Sequence, residues 1–171
     1  MSTEPRDSAA PTEAGPGLPD ADLELLFALA DRAIRTGLAG QQVPEIDVEG
    51  LPPALRQPLG IFVTLEVRGQ LNGCIGALET DEAIGVAAAR CAWEAAFADP
   101  RLPRLSIDDY PHLDIKVSIL SPLTPIAANS EAEVLAHLRP GVDGLVIAHG
   151  RHRATFLPAV WAHLRDPLDF L

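Results

Sequence analysis

Gly60-Ile61-Phe62-Val63-Thr64-Leu65-Glu66-Val67-Arg68-Gly69-Gln70-Leu71-Asn72-Gly73-Cys74-Ile75-Gly76-Ala77-Leu78 is the stretch on which the fold class turns. Ile61 to Val67 is rich in β-branched residues and reads as a mostly buried strand. Gly69-Gln70 suits a two-residue hairpin turn, and Leu71 to Leu78 is then the returning strand. Directly after it, Thr80 or Asp81 caps a long Ala-rich helix reaching about Ala98. That helix stops before Asp99-Pro100, because the residue preceding a proline is pushed out of the helical region.

Working toward the N-terminus, residues 38–58 are loop-like, with Pro44, Pro52, Pro53 and Pro58. Before them, Leu23, Leu26, Phe27, Ala30 and Ile34 recur at three- and four-residue steps. A first helix therefore begins near Asp20 or Asp22 and ends at Gly37. Residues 1–19, with four prolines and two glycines, are expected to form a disordered tail. Toward the C-terminus, Leu113 to Leu120 alternates like a strand with one wet face. Ser130-Glu131-Ala132-Glu133 is a capping box for a short helix. Gly144–Ala148 and His152–Phe156 make a second hairpin, turning at His149-Gly150, and Pro158 suits the first turn of a last short helix. The order α-β-β-α-β-α-β-β-α favours an α+β domain over residues 20–171, with a mixed, largely antiparallel sheet and flanking helices.

The 171 residues carry 24 acidic against 13 basic side chains, a net charge of −11. Such a surface repels phosphate backbones and anionic lipid, so neither nucleic acid nor a membrane surface is an expected partner. The N-terminus lacks the basic start and apolar stretch of a signal peptide, and no run approaches the roughly 18 apolar residues of a membrane span. Cys74 and Cys91 read as free thiols of a reducing compartment, which places the chain in the cytoplasm. No cofactor motif stands out.

Two glycines inside a strand weaken it unless the backbone bulges there or something must come close. Gly73-Cys74-Ile75-Gly76 therefore has two readings: a β-bulge with a small buried cysteine, or a thiol presented to a cleft. As a nucleophile, Cys74 would need its thiolate stabilised by a helix N-terminus or by Arg68, Arg101, Arg104, His112 or His152, none of which spacing fixes. Asp99 and Arg101 flank Pro100 and suit a charge-assisted tie between helix end and loop, or an anion hold. Asp143-Gly144 is ordinary turn chemistry and Thr155 an ordinary strand residue. His149 and His152 lack the third ligand a metal needs, and a turn there leaves both rings in water, so no metal site is expected. Gly73-x-x-Gly76 lacks the lysine and the following helix of a phosphate loop. Trp93, Phe97 and Trp161 read as core.

Taken in order, several stretches resemble the AMMECR-type domain. They are Gly60-Ile61-Phe62-Val63-Thr64-Leu65, Gly69-Gln70-Leu71-Asn72-Gly73-Cys74-Ile75-Gly76 and Ala95-Ala96-Phe97-Ala98-Asp99-Pro100-Arg101. Further on come Leu113 to Ser118, Pro140 to Leu145, and Ala154-Thr155-Phe156-Leu157-Pro158-Ala159-Val160-Trp161. The resemblance spans about residues 21–171. It implies an α+β fold of two unequal lobes with a cleft beside the cysteine strand, and no assigned activity. It further implies kinship with protein A of the AmmeMemoRadiSam set, which groups this domain with a Memo-type protein and a radical SAM protein. Three positions depart from the family pattern: Asn72 stands where Arg is usual, Lys116 where Glu is usual, and Ala159 where Gln is usual. The family chain also normally runs on past Phe170-Leu171. These changes fall on polar positions while the apolar frame survives, as in a retained fold with an altered site.

Two function classes stay open. One is a partner-binding subunit acting with Memo-type and radical SAM proteins. The other is a thiol-dependent enzyme using Cys74 on a small or protein-bound substrate. The candidate set is Cys74 as nucleophile, with Thr64, Asn72, Gly73, Gly76, Asp99, Arg101, Asp143 and Thr155 as ligand-binding residues.

Overall fold

A computed structural model describes residues 17–162. Most of the tail expected at residues 1–19, and the chain end at Phe170-Leu171, lie outside them. The first helix, α1 (Asp20–Leu38), buries Leu26, Leu29, Ala30, Ala33 and Ile34, one stripe at helical spacing. After a 3₁₀ turn at Pro53–Arg56 come β1 (Gly60–Val67) and β2 (Gln70–Ala77). Then follow α2 (Ile84–Phe97) and, after a second 3₁₀ turn, β3 (Leu113–Leu120). The remaining elements are α3 (Glu131–His137), β4 (Leu145–His149), β5 (His152–Phe156) and a 3₁₀ turn at Pro158–Ala162. This is the α+β class the sequence predicts, and every strand pairing among the described residues is antiparallel.

The strands form two sheets, a three-stranded one in the order β2-β1-β3 and the separate β4–β5 hairpin. The chain divides into two compact units, Met1–Pro122 and Leu123–Leu171. In the first, alternation on β1 sends Ile61, Val63 and Leu65 to one face, level with Ile119, Val117 and Ile115 of β3. On that face lies α2, whose Ala87, Ala88, Cys91, Ala92, Ala95 and Ala96 are all buried, with α1 packed against it. A helix this apolar on nearly every side is stable only when covered on nearly every side. Its small side chains let it come close to the sheet. A Cβ on Gly73 would overlap the backbone carbonyl of Ala95, so glycine is required there by the approach of α2. The second unit has its own small core of Leu138, Leu145 and Trp161.

Four sequence expectations shift. The first hairpin turns at Arg68-Gly69, not Gly69-Gln70, with both residues at positive φ (51° and 75°) and Val67 facing Gln70. Register is set by the apolar alternation of β1 and β2, and the turn takes whatever residues are left. The second hairpin likewise turns at Gly150-Arg151, with His149 facing His152. Thr80 and Asp81 do not cap α2. Thr80 Oγ1 accepts the N–H of Glu82 in a separate turn, and the helix begins at Ile84, whose N–H donates to the carbonyl of Gln57. The capping box at α3 is half as expected: Ser130 Oγ accepts the N–H of Glu133, while Glu133 accepts from Asn129 instead of Ser130.

Candidate functional site

Between Leu65 and Glu66 the β1–β2 register slips, because Gly73 faces Leu65 while Leu71 faces Glu66. Asn72 is the extra residue, and this β-bulge redirects the strand just before Cys74. Cys74 then pairs with Thr64, and Thr64 on its other side with Lys116. The row Cys74–Thr64–Lys116 therefore crosses the three strands on the face opposite α2. Phe62, Gly76 and Ser118 form the next row, and a Cβ on Gly76 would run into Phe62 and the Ile61 carbonyl.

Cys74 is half-buried, and the Thr64 hydroxyl donates to its sulfur at 3.3 Å. Being on the edge strand, Cys74 also turns backbone groups outward, and both are met by the loop after α2. Its N–H donates to Asp99 Oδ2 at 3.1 Å, and its carbonyl accepts from Arg101 Nη2 at 2.6 Å. Arg101 closes the arrangement by gripping Asp99 with Nε and Nη2 at 2.9 and 2.7 Å. The Asp99 side chain is 1% exposed and that of Arg101 63%. The bound guanidinium, with the N–H groups of Cys74 and Arg101, holds the Asp99 carboxyl well below the usual carboxylate range, although burial pushes the other way. Side chains thus do for the β2 edge what a neighbouring strand would do.

Asn72 is buried, donating through Nδ2 to the Pro103 carbonyl at 3.3 Å, while its Oδ1 is buried without a partner among the described residues. An Arg, which the resemblance leads one to expect here, is thus replaced by an uncharged group turned inward. Lys116, the second departure, is exposed and pairs with Glu66 at 2.6 Å across the sheet. The side chain of Ala159, the third, lies outside the described residues.

Of the candidate residues, Thr64, Asn72, Gly73, Cys74, Gly76, Asp99 and Arg101 gather around β2. Asp143 and Thr155 belong to the second unit. There Arg139 grips the Asp143 carboxylate at 2.7 and 2.9 Å, and the Asp143 carbonyl accepts from Trp161 Nε1. Thr155 is exposed on β5 opposite Val146. Phe62 and Glu66, outside that candidate set, each stand two residues from Thr64 and so share its face. Two concavities of the first unit lie elsewhere. One of about 330 Å³ is lined by Pro58, Leu59, Leu78, Glu79, Asp81 and Pro122 among others, and one of about 530 Å³ by Glu45–Glu49. Cys74 lines neither. Among the described residues no group of three or more His, Cys, Asp or Glu side chains is arranged to hold a metal, and no helix is long and apolar enough to cross a membrane.

The two thiols differ sharply. Cys91 is 0% exposed, and burial pushes its thiol up to about 11. We expect a thiol-titrating disulfide reagent at neutral pH to count one cysteine, Cys74, in the native chain and two in denaturant. A native count of two, or of none, would contradict these surroundings.

The AMMECR1 family model matches residues 27–171. A protein of Methanothermobacter thermautotrophicus is 37% identical over 135 residues, covering 79% of this chain and 70% of its own length. One of Methanococcus aeolicus is 36% identical over 115 residues, covering 66% of this chain and 58% of its own. The crystal structure of the uncharacterised protein PH0010 from Pyrococcus horikoshii superposes with a TM-score of 0.77 at 29% identity, covering 88% of this chain and 76% of that one. None of these three names states an activity. With the glycine-bracketed cysteine strand and the Asp99–Arg101 clasp in place, the match over most of the chain settles kinship: this chain belongs to the AMMECR1 family.

Proposed function

We propose that the chain is a partner-binding subunit which presents the sheet face bearing Phe62, Thr64, Cys74 and Lys116, and that it acts with Memo-type and radical SAM proteins. One observation carries this reading: the charged groups nearest Cys74 are committed to architecture. Asp99 and Arg101 hold each other and the Cys74 backbone, and the sulfur's hydrogen-bond partner among the described residues is a hydroxyl. A hydroxyl at its ordinary acidity is not a general base, and a nucleophilic thiol without one is poorly activated. The family context supplies the partner classes.

The test is co-purification of the tagged chain with Memo-type and radical SAM proteins. Cys74→Ser is expected to leave capture unchanged, because the serine hydroxyl keeps the pairing with Thr64. Loss of capture on that change alone would move the reading to a thiol-dependent enzyme. That second reading is favoured by the half-buried, hydroxyl-bonded sulfur.

A further inference from the structure

Between Gly144 and Arg165 the sequence contains no Asp or Glu, in a chain whose net charge is −11. The β4–β5 hairpin lies inside this acid-free stretch. Its inner pair, Leu145 and Phe156, belongs to the small core of the second unit. Two residues further out on the same face comes Ile147, 39% exposed, and then the facing pair His149 and His152. Arg151 sits in the turn and Arg153 on the opposite face, beside Ala148. All four basic residues are exposed, and among the described residues none of their side chains has a hydrogen bond or ion pair. By contrast Arg35, Arg56, Arg68, Arg90, Arg101 and Arg139 each hold a carboxylate. An arm exposed on both faces, with an isoleucine beside four basic side chains that have no partner among the described residues, suits contact with another surface.

The complementary surface is present on the same polypeptide. Glu45, Asp47 and Glu49 alternate with Ile46 and Val48 along the concavity of about 530 Å³. The three acids are exposed, Glu49 pairs with Arg56 at 3.8 Å while Glu45 and Asp47 hold no ion pair among the described residues, and Val48 is 38% exposed. Each surface therefore pairs an exposed aliphatic side chain with charge that has no ion-pair partner among the described residues, Arg151 and Arg153 on the tip and Glu45 and Asp47 on the loop. The basic patch spans one hairpin tip rather than a long stripe, so it suits a compact carboxylate cluster better than a nucleic-acid backbone, whose extended field would meet the rest of this acidic surface.

We propose that the Ile147–Arg153 hairpin tip of one copy docks on the Glu45–Glu49 loop of a second copy. Tip and loop are different surfaces, so the contact is head to tail and open to further addition unless its rotation closes a ring. Exposed ion pairs are weak and screened, which makes the association salt-sensitive. It is independent of the partner-binding reading above.

Sedimentation velocity of the full chain tests it. At low salt the wild type is expected to self-associate, with the association constant falling at least about tenfold at ~1 M salt, where screening is nearly complete. Arg151→Ser with Arg153→Ser should remove association, as should Glu45→Gln with Asp47→Asn. Mixing the two double variants leaves one intact tip and one intact loop, so an equimolar mixture should form a dimer and stop there. A wild type that stays monomeric at low salt, association that survives either double variant, or a mixture that stays monomeric would each overturn the proposal.

Discussion

Replacing Asp99 by Ala is expected to destabilise the first unit by about 2–4 kcal/mol, the scale for stripping a buried N–H and a charged donor of a shared acceptor. The carboxylate accepts from the Cys74 N–H and from Arg101 at once, and almost none of it touches water. Its loss leaves the Cys74 N–H without an acceptor on the edge strand. It also frees Arg101, which being exposed can turn to solvent, and that keeps the cost below the top of the range for a fully buried pair. Asp99→Asn retains an acceptor oxygen but loses the charge, and should cost about half as much. The pH dependence has a definite sign. Because the folded carboxyl is held below its unfolded value near 4, its contribution is complete above that value and is lost as pH falls through the folded one. Urea unfolding of wild type and Asp99→Asn across a pH series reads it directly. The stability gap should be constant above about pH 5 and shrink below about pH 4. A gap that does not change in acid would mean that the charge contributes nothing.

The second large effect is expected at Gly73→Ala. The new methyl group would enter the space of the Ala95 backbone carbonyl, near the C-terminal end of α2. A side chain can rotate away from an intruding methyl, but a helix backbone moves only by shifting the whole element. The cost should lie at or above the upper end of the ~1–3 kcal/mol usual for overpacking. Gly69→Ala is the control. Gly69 has φ +75° but open space around its Cβ position, so only backbone strain of about 1 kcal/mol is at stake. Denaturant midpoints for the two variants should separate clearly. Equal midpoints would show that α2 can withdraw from the sheet at little cost.

Much of the frame could be read from residues alone because it rests on periodicity. The alternation of Ile61, Val63 and Leu65 and the helical spacing of Leu26, Ala30 and Ile34 are local signals, and burial follows them directly. What failed was decided by distant partners. Thr80-Asp81 has the chemistry of a helix cap, yet the Gln57 carbonyl, 27 residues before Ile84, fixes where α2 begins. Both hairpin turns moved by one residue because register obeys the core and not the turn. At the candidate site, the unusual glycines single out β2 from sequence, but the Thr64–Cys74 pair emerges only once register is known. The Asp99 link was harder still, since its partner is the main-chain N–H of Cys74, 25 residues away, and a backbone group leaves no mark in sequence.

Each unit keeps its own apolar cluster and its own indole, Trp93 packed against the larger and Trp161 within the smaller. Melting of this molecule is therefore not obliged to be a single event. Emission from one ring follows the sheet and its helices, and emission from the other follows the hairpin unit. A single midpoint drawn through both signals would average two transitions into a number belonging to neither.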